Sequence, residues 1–269
     1  MISIASTVDK LHAILRRDLL TAIRYRSGFV VTMVGGLTEL AAFYFLSRAI
    51  GPAFRPNGVE YFPFLLVGTG LYTFFIMSAQ SFLSSVQEAQ QTGTLEVLMT
   101  TSTAPAELIV LSSISAFSGN LVNLLIYLLA GVAVFGASTQ ANLLACIVVM
   151  ILSAAVALAF GIIAATLQVA FQKGSAVLWL LGSGLWFLSG AMFPLHSLPR
   201  PLEMLARALP VTYAIDGLRR AMLGRESVTM LAPTLTILAV FACVLLPLSL
   251  AALSLSLRRA RRDGTLSFY

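Results

Sequence analysis

The sequence predicts an all-α, polytopic membrane protein with six transmembrane helices, and two observations carry that prediction. Charged residues make up 10% of the 269-residue chain and hydrophobic ones 58%, whereas a soluble domain needs roughly 25% charged residues to cover its surface. Mean hydropathy is +0.92, and the apolar residues gather into long runs parted by short polar or proline-rich stretches. Runs of about 20 apolar residues cross the hydrocarbon layer as helices. The N-terminal residues are polar, with no apolar stretch leading to a cleavage site, so no signal peptide is expected. Cys146 and Cys243 both sit inside apolar runs and suggest neither a disulfide framework nor a metal site. In this setting the formal charge of +6 reads as cations that set topology and touch anionic lipid, not as a nucleic-acid surface.

Residues 8–26 form the first element, an amphipathic helix in the membrane interface. Val8, Leu11, Leu15, Leu19 and Ala22 share one face, while Lys10, Arg17 and Arg24 recur on the other. Span 1 covers 28–50. Gly35 and Gly36 permit close helix contact, and Glu39 stands near the middle. A carboxyl group at that depth costs about 2.5–3.5 kcal/mol on insertion scales, so it must face protein or water. It fits a transport path and a polar helix contact equally well. Span 2 covers 61–86, opens on aromatic residues and carries Gln80 as its strongly polar interior residue. Span 3 covers 107–135, with Asn120 and Asn123 on one face, suited to helix–helix hydrogen bonds or, more sharply, to a transported molecule. Span 4 covers 141–171 and repeats small residues at Ala157, Gly161 and Ala165 for close packing. Span 5 covers 176–193 and span 6 covers 228–257, with Pro247 as a kink and an arginine-rich tail beyond it.

Two connections are unusual. Between spans 2 and 3, Glu88 to Glu107 carries three carboxylates and no cation. Thr92-Gly93-Thr94 followed by Glu96 signals a helix start and Pro105 a stop, giving a short helix over 92–104. By residue types alone a solvated loop fits as well. Between spans 5 and 6, Pro194, Pro199, Pro201 and Pro210 cut residues 194–225 into pieces too short to cross.

These two stretches carry a family resemblance. The run E-x4-G-T-L-E-x-L, at Glu88, Gly93, Thr94, Leu95, Glu96 and Leu98 and continuing to Thr101, resembles the cytoplasmic coupling segment of ABC-2 type permeases. Ser102 stands where that family usually has proline. The second block resembles its S-G-x-x-x-P-x-x-x-L-P and P-x-T-Y-A-x-D-x-L-R pattern, at Ser189, Gly190, Pro194, Leu198, Pro199, Pro210, Thr212, Tyr213, Ala214, Asp216, Leu218 and Arg219. The resemblance implies that 194–225 forms re-entrant external half-helices, with Pro194, Pro210, Tyr213, Asp216 and Arg219 at an external gate. It implies ATPase coupling through Glu88, Gly93, Thr94, Leu95, Glu96 and Thr101. Glu39, Gln80, Asn120 and Asn123 are the candidate residues of the path. Asp216 has Arg219 and Arg220 as ion-pair partners at helical spacing.

Orientation follows from the cations. Lys10, Arg16, Arg17, Arg24, Arg26, Lys173 and the four tail arginines outnumber those on the opposite side, so both termini are expected in the cytoplasm of a bacterial inner membrane. The chain holds no G-x-x-x-x-G-K-[ST] loop. ATP and Mg would therefore sit on a separate ABC ATPase subunit, and this chain carries no cofactor and no catalytic or metal site of its own. Six spans are half a pathway, so a second permease copy, most simply a homodimer, is expected, with membrane lipids as the other partner and no nucleic acid. The G-T-L-E block favours an amphipathic small molecule, drug or lipid as cargo. Lipid-linked polysaccharide is the alternative, with Tyr61, Phe62, Phe64, Tyr72, Phe74 and Phe75 stacking on sugars, although contact with lipid is the plainer reading of the same rings. A proton-coupled secondary transporter using Glu39 is the reading from a different class. A membrane enzyme would need convergent His, Asp or Glu residues, and His12 and His196 fall on opposite sides of the expected topology.

Overall fold

A computed structural model describes residues 26–94, 105–171 and 174–263. The expected interfacial helix over 8–26 lies outside the described residues except for Arg26. So does the coupling helix beyond Thr94, including Leu95, Glu96 and Thr101. Every regular element among the described residues is helical. They are α1 (Arg26–Ile50), α2 (Tyr61–Gln91), α3 (Pro105–Ala133), α4 (Leu143–Phe171), α5 (Gly174–Leu188), α6 (Arg200–Arg207), α7 (Pro210–Leu223) and α8 (Ala232–Asp263), with 3-10 turns at Pro56–Gly58 and Leu195–Ser197. Four of them, α2, α3, α4 and α8, are long and apolar enough to cross a membrane. Helices α1 and α5 stand where spans 1 and 5 are expected, but the 15 residues of α5 reach only about 22 Å, short of the roughly 30 Å hydrocarbon layer.

The boundaries moved for local reasons. Span 2 was expected to stop at 86, but α2 runs on through the helix-forming Gln87 to Gln91. It ends where Thr92 caps it, with the Thr92 N–H on the Glu88 carbonyl, and Gly93 turns left-handed at φ +67°. Thr92 and Gly93 thus close α2, and Thr94 directly after them is helical again; the rest of the short helix expected over 92–104 lies outside the described residues. Pro105 heads α3, since its missing N–H costs nothing at a first helical position. Glu107 follows in that first turn, where a carboxylate suits the helix dipole. Helix α5 stops at Leu188, five residues before the expected end, because Gly190 adopts φ +75°. The tail arginines are not separate from span 6: Arg261 and Arg262 form the last turn of α8, where cations complement the C-terminal dipole.

The long helix α2 is the centre of the molecule. In its most apolar 18-residue window 78% of the residues are buried, against 17–33% for the other three long helices. Helices α3, α4, α5, α7 and α1 all pack on it, and α8 completes the bundle against α4. This placement corrects the reading of the aromatic cluster. Tyr61, Phe62, Phe64, Phe74 and Phe75 are buried core residues, and Tyr72 donates to the Gly182 carbonyl at 2.8 Å. An aromatic-rich helix at an interface would line the lipid; one encircled by neighbours packs its rings inside.

The small-residue face of α4 does what its spacing predicts. Ala157 and Ala165 are fully buried, and a Cβ on Gly161 would lie 2.4 Å from the Phe82 ring of α2. Phe82 is itself fully buried and has no free space to move into. Gly161→Val is therefore expected to lower stability by about 1–3 kcal/mol, the usual range for overpacking. Thermal unfolding in detergent checks this, and an unchanged midpoint would show that α2 and α4 are not held so closely.

Candidate functional site

The candidate path residues converge in part. A cavity of about 480 Å3 opens between α1, α2 and α3. Glu39, Asn120 and Asn123 line it together with Thr73, Phe74 and Tyr127. Three elements bring them there for separate reasons. Gly35, Gly36 and Gly70 keep the walls of the cavity low, and a side chain at Gly70 would lie 2.9 Å from the Tyr127 ring. The Tyr127 hydroxyl lies 3.1 Å from the Thr69 hydroxyl, which ties α3 to α2. Asn120 donates from Nδ2 to the Ser81 hydroxyl at 2.9 Å, the helix–helix bond that its spacing suggested. Gln80 is apart from this group: it is exposed and donates to Ser84 one turn along its own helix.

The expected gate residues form a tightly built cap at the other candidate region. Helices α6 and α7 lie end to end. Thr212 donates to the Ala206 carbonyl at 2.7 Å and Tyr213 to the Arg207 carbonyl at 2.8 Å, so the Thr-Tyr pair at the head of α7 satisfies the orphan carbonyls that end α6. Pro210 opens α7, and Pro194 precedes the 3-10 turn, its carbonyl accepting from the Ser197 hydroxyl at 2.6 Å. Asp216 lies 3.6 Å from Arg220, and not with Arg219. The stronger partner of Arg220 is Glu226, which it meets through Nε and Nη2 at 2.6–3.0 Å. That carboxylate holds the Arg220 pKa above its ordinary value, chiefly through these hydrogen bonds.

Arg219 turns inward. Its guanidinium donates to the backbone carbonyls of Phe64, Gly190 and Ala191 at 2.6–3.2 Å and lies 3.4 Å from the centre of the Phe64 ring. Burial pulls its pKa down to about 9, against the charges of Asp216 and Tyr61, which act to raise it. It stays cationic at neutral pH. Three pieces of chain, the head of α2, the turn after α5 and α7, meet on this one side chain. Gly68 makes the room: a Cβ there would fall 2.1 Å from Arg219 Nη2 and 2.3 Å from the Ala191 carbonyl oxygen.

The cap lies at the Tyr61 end of α2, and Glu88, Gly93 and Thr94 lie at the opposite end, 31 helical residues away, or about 46 Å. At that second end is a buried polar contact not singled out in the sequence. Gln168 of α4 donates to Gln90 Oε1 at 2.9 Å and accepts the Gly174 N–H at 2.9 Å. Gln90 and Gln168 are both 1% exposed. The contact fastens the last turn of α2 to the turn between α4 and α5.

Glu88, Gly93 and Thr94 of the first motif and the Arg219 contact of the second thus lie at opposite ends of α2. The model of the family described as ABC-2 type transporter matches residues 9–223. The chain belongs to the ABC-2 type transporter family. Comparison with curated proteins gives no match. The chain is therefore a multi-pass membrane permease component of an ABC transporter, and membership implies an ABC ATPase partner. Within this ABC-2 permease, sequence reading singled out Glu39, Asn120 and Asn123, which line one cavity, and did not single out Tyr127, Gln90, Gln168 and Glu226. Gln168 sits among apolar residues of α4, where an isolated polar residue was a detectable signal, whereas Gln90 lies in the polar run Gln87 to Gln91 and does not stand out there. Glu226 gave no signal, because its pairing with Arg220 depends on the turn after α7.

Proposed function

We propose that this permease is the membrane subunit of an ATP-driven exporter in a bacterial inner membrane, with six spans and both termini in the cytoplasm. Two copies form the path, and a separate ATPase carries ATP and Mg. The observation that carries this reading is the family match over 9–223, which takes in both the G-T-L-E segment and the α6–α7 cap. The cargo is an amphipathic small molecule, drug or lipid. Aromatic side chains that would stack on sugar rings are spent on the core, which weighs against lipid-linked polysaccharide.

Force enters at Gly93–Thr101 when two ATPase subunits close on ATP. Helix α2 is continuous from Thr92 to the Arg219 contact, so displacement at one end is felt at the other. The Gln90–Gln168 contact passes the same push to α5. Helices α1, α2 and α5 shift, and the path between the two copies opens outward past α6 and α7. No covalent step falls to this chain.

The test is assembly. Purified alone, the chain is expected to hydrolyse no ATP; co-expressed with its cognate ATPase it should form a complex with equal numbers of each subunit and hydrolyse ATP there. Hydrolysis by this chain alone, or no complex with any co-encoded ATPase, would overturn the reading.

A further inference from the structure

We propose that the cavity between α1, α2 and α3 is a binding site for a cationic amphiphile, an ammonium-bearing molecule with an apolar body. The inference rests on the permease reading and names the cargo class that this reading leaves open.

The argument starts from charge. Among the described residues Glu39 is the one charged residue lining the cavity. Among the described residues no hydrogen-bond donor or cation reaches its carboxyl group. A carboxylate at membrane depth is costly unless it is paired or meets water, and most such groups in helical bundles find a partner on a neighbouring helix. The other polar residues lining the cavity are Asn123 and Thr73, neither of which makes a side-chain hydrogen bond among the described residues, Tyr127, tied to Thr69, and Asn120, whose amide donates to Ser81. What Asn120 still offers is its oxygen. The polar side of the cavity thus gathers a carboxyl group and several hydrogen-bond acceptors, and among the described residues no cation lines it to balance Glu39.

The remainder of the wall is apolar and aromatic. Phe74 and Tyr127 present rings to the cavity, and aromatic faces attract cations within about 6 Å. The volume of about 480 Å3 lies within the range of roughly 300–1,000 Å3 typical of small-molecule sites. An ammonium group supplies the missing partner of Glu39 and donates to the Asn oxygens, while an alkyl or aryl body fills the rest. A neutral molecule of the same shape leaves Glu39 unpaired, and an anionic one is repelled by it.

The experiment uses the assembled permease–ATPase complex in lipid nanodiscs. Dansylcadaverine, a fluorescent primary amine, is compared with its N-acetyl derivative, which keeps the body and loses the charge. The amine is expected to bind at least tenfold more tightly. Glu39→Gln should bring the two affinities within about twofold of each other, Glu39→Asp should keep most of the preference, and Glu203→Gln, an acid on α6 outside the cavity, should keep all of it. Equal binding of amine and acetylated probe by the unaltered complex overturns the proposal without needing any variant. So does an undiminished preference in Glu39→Gln, which would place the cation elsewhere. Assembly with the ATPase is read on the same samples. Equal affinities in an intact complex strike only the cation assignment, whereas failure to assemble strikes the permease reading and this proposal with it.

Discussion

Arg219→Ala is expected to destroy the α6–α7 cap and to leave little folded protein in the membrane. The side chain donates to three backbone carbonyls from separate parts of the chain. Hydrogen bonds to a charged group each contribute about 1.5–3 kcal/mol, and an acceptor left buried without a partner costs about 1–3 kcal/mol. Loss of the arginine removes several such bonds at once, so a stability loss on the order of 3–5 kcal/mol is expected, a large part of what a typical domain has. Arg219→Lys should be nearly as damaging, because an ammonium cannot reach three carbonyls with the spread of a guanidinium fork. Gly68→Val tests the same lock from the other side, since its side chain would occupy the space of the Arg219 Nη2 and the Ala191 carbonyl. Asp216→Asn, by contrast, should cost less than about 1 kcal/mol, because its 3.6 Å pair with Arg220 is half-exposed. Melting temperatures of the purified variants in detergent give the ranking. Similar melting of Arg219→Ala and Asp216→Asn would mean that the guanidinium does not hold the cap together.

The second large effect is expected at the other end of α2. Glu96→Arg should leave insertion and melting temperature unchanged and abolish stimulation of the ATPase subunit or complex formation. In the short helix that the sequence leads us to expect over 92–104, a carboxylate near the start suits the helix dipole by about 0.3–1 kcal/mol, and reversing its charge also repels any cation that the ATPase places there. Glu88→Ala should act in the same direction and more weakly. Glu88 is exposed on the last turn of α2, so its side chain is free to meet a partner, and its backbone carbonyl, which receives the Thr92 N–H and hydroxyl, survives the substitution. Co-purification with the ATPase and hydrolysis rates report both. Wild-type coupling in both variants would remove the segment from the mechanism.

Much of this architecture was legible because helices in lipid must be long, apolar and internally hydrogen-bonded. Spans 1, 3 and 4 were placed within a few residues of α1, α3 and α4, and the prolines of 194–225 marked α6 and α7 as too short to cross. The errors were at helix ends. Span 2 ran past its expected end through Gln87 to Gln91, and the turn at Thr92-Gly93, with positive φ at Gly93, closes α2 just before a helical Thr94. What the sequence could not reveal was which helix lies in the middle. The aromatics of α2 suit lipid or core equally, and their burial depends on five neighbours closing around them. The path residues divided on the same ground. Asn120, Asn123 and Glu39 meet because α1, α2 and α3 pack around one gap, while Gln80, equally polar, points away from it. Arg219 matched a motif but its direction was hidden. At helical spacing Asp216 offered an ion pair, and carbonyls at Phe64 and Gly190, far away in the chain, took the guanidinium instead.

The account turns on α2 joining a cytoplasmic coupling end to an external cap, and thiol labelling tests that most directly. In a background with Cys146 and Cys243 replaced by serine, Met204→Cys on the exposed face of α6 and Gln91→Cys at the end of α2 are treated in intact cells with a membrane-impermeant maleimide. Labelling of the cysteine at 204 from outside, with that at 91 reacting only after the membrane is opened, is the predicted result. The reverse pattern, or both positions reacting from the same side, would contradict it.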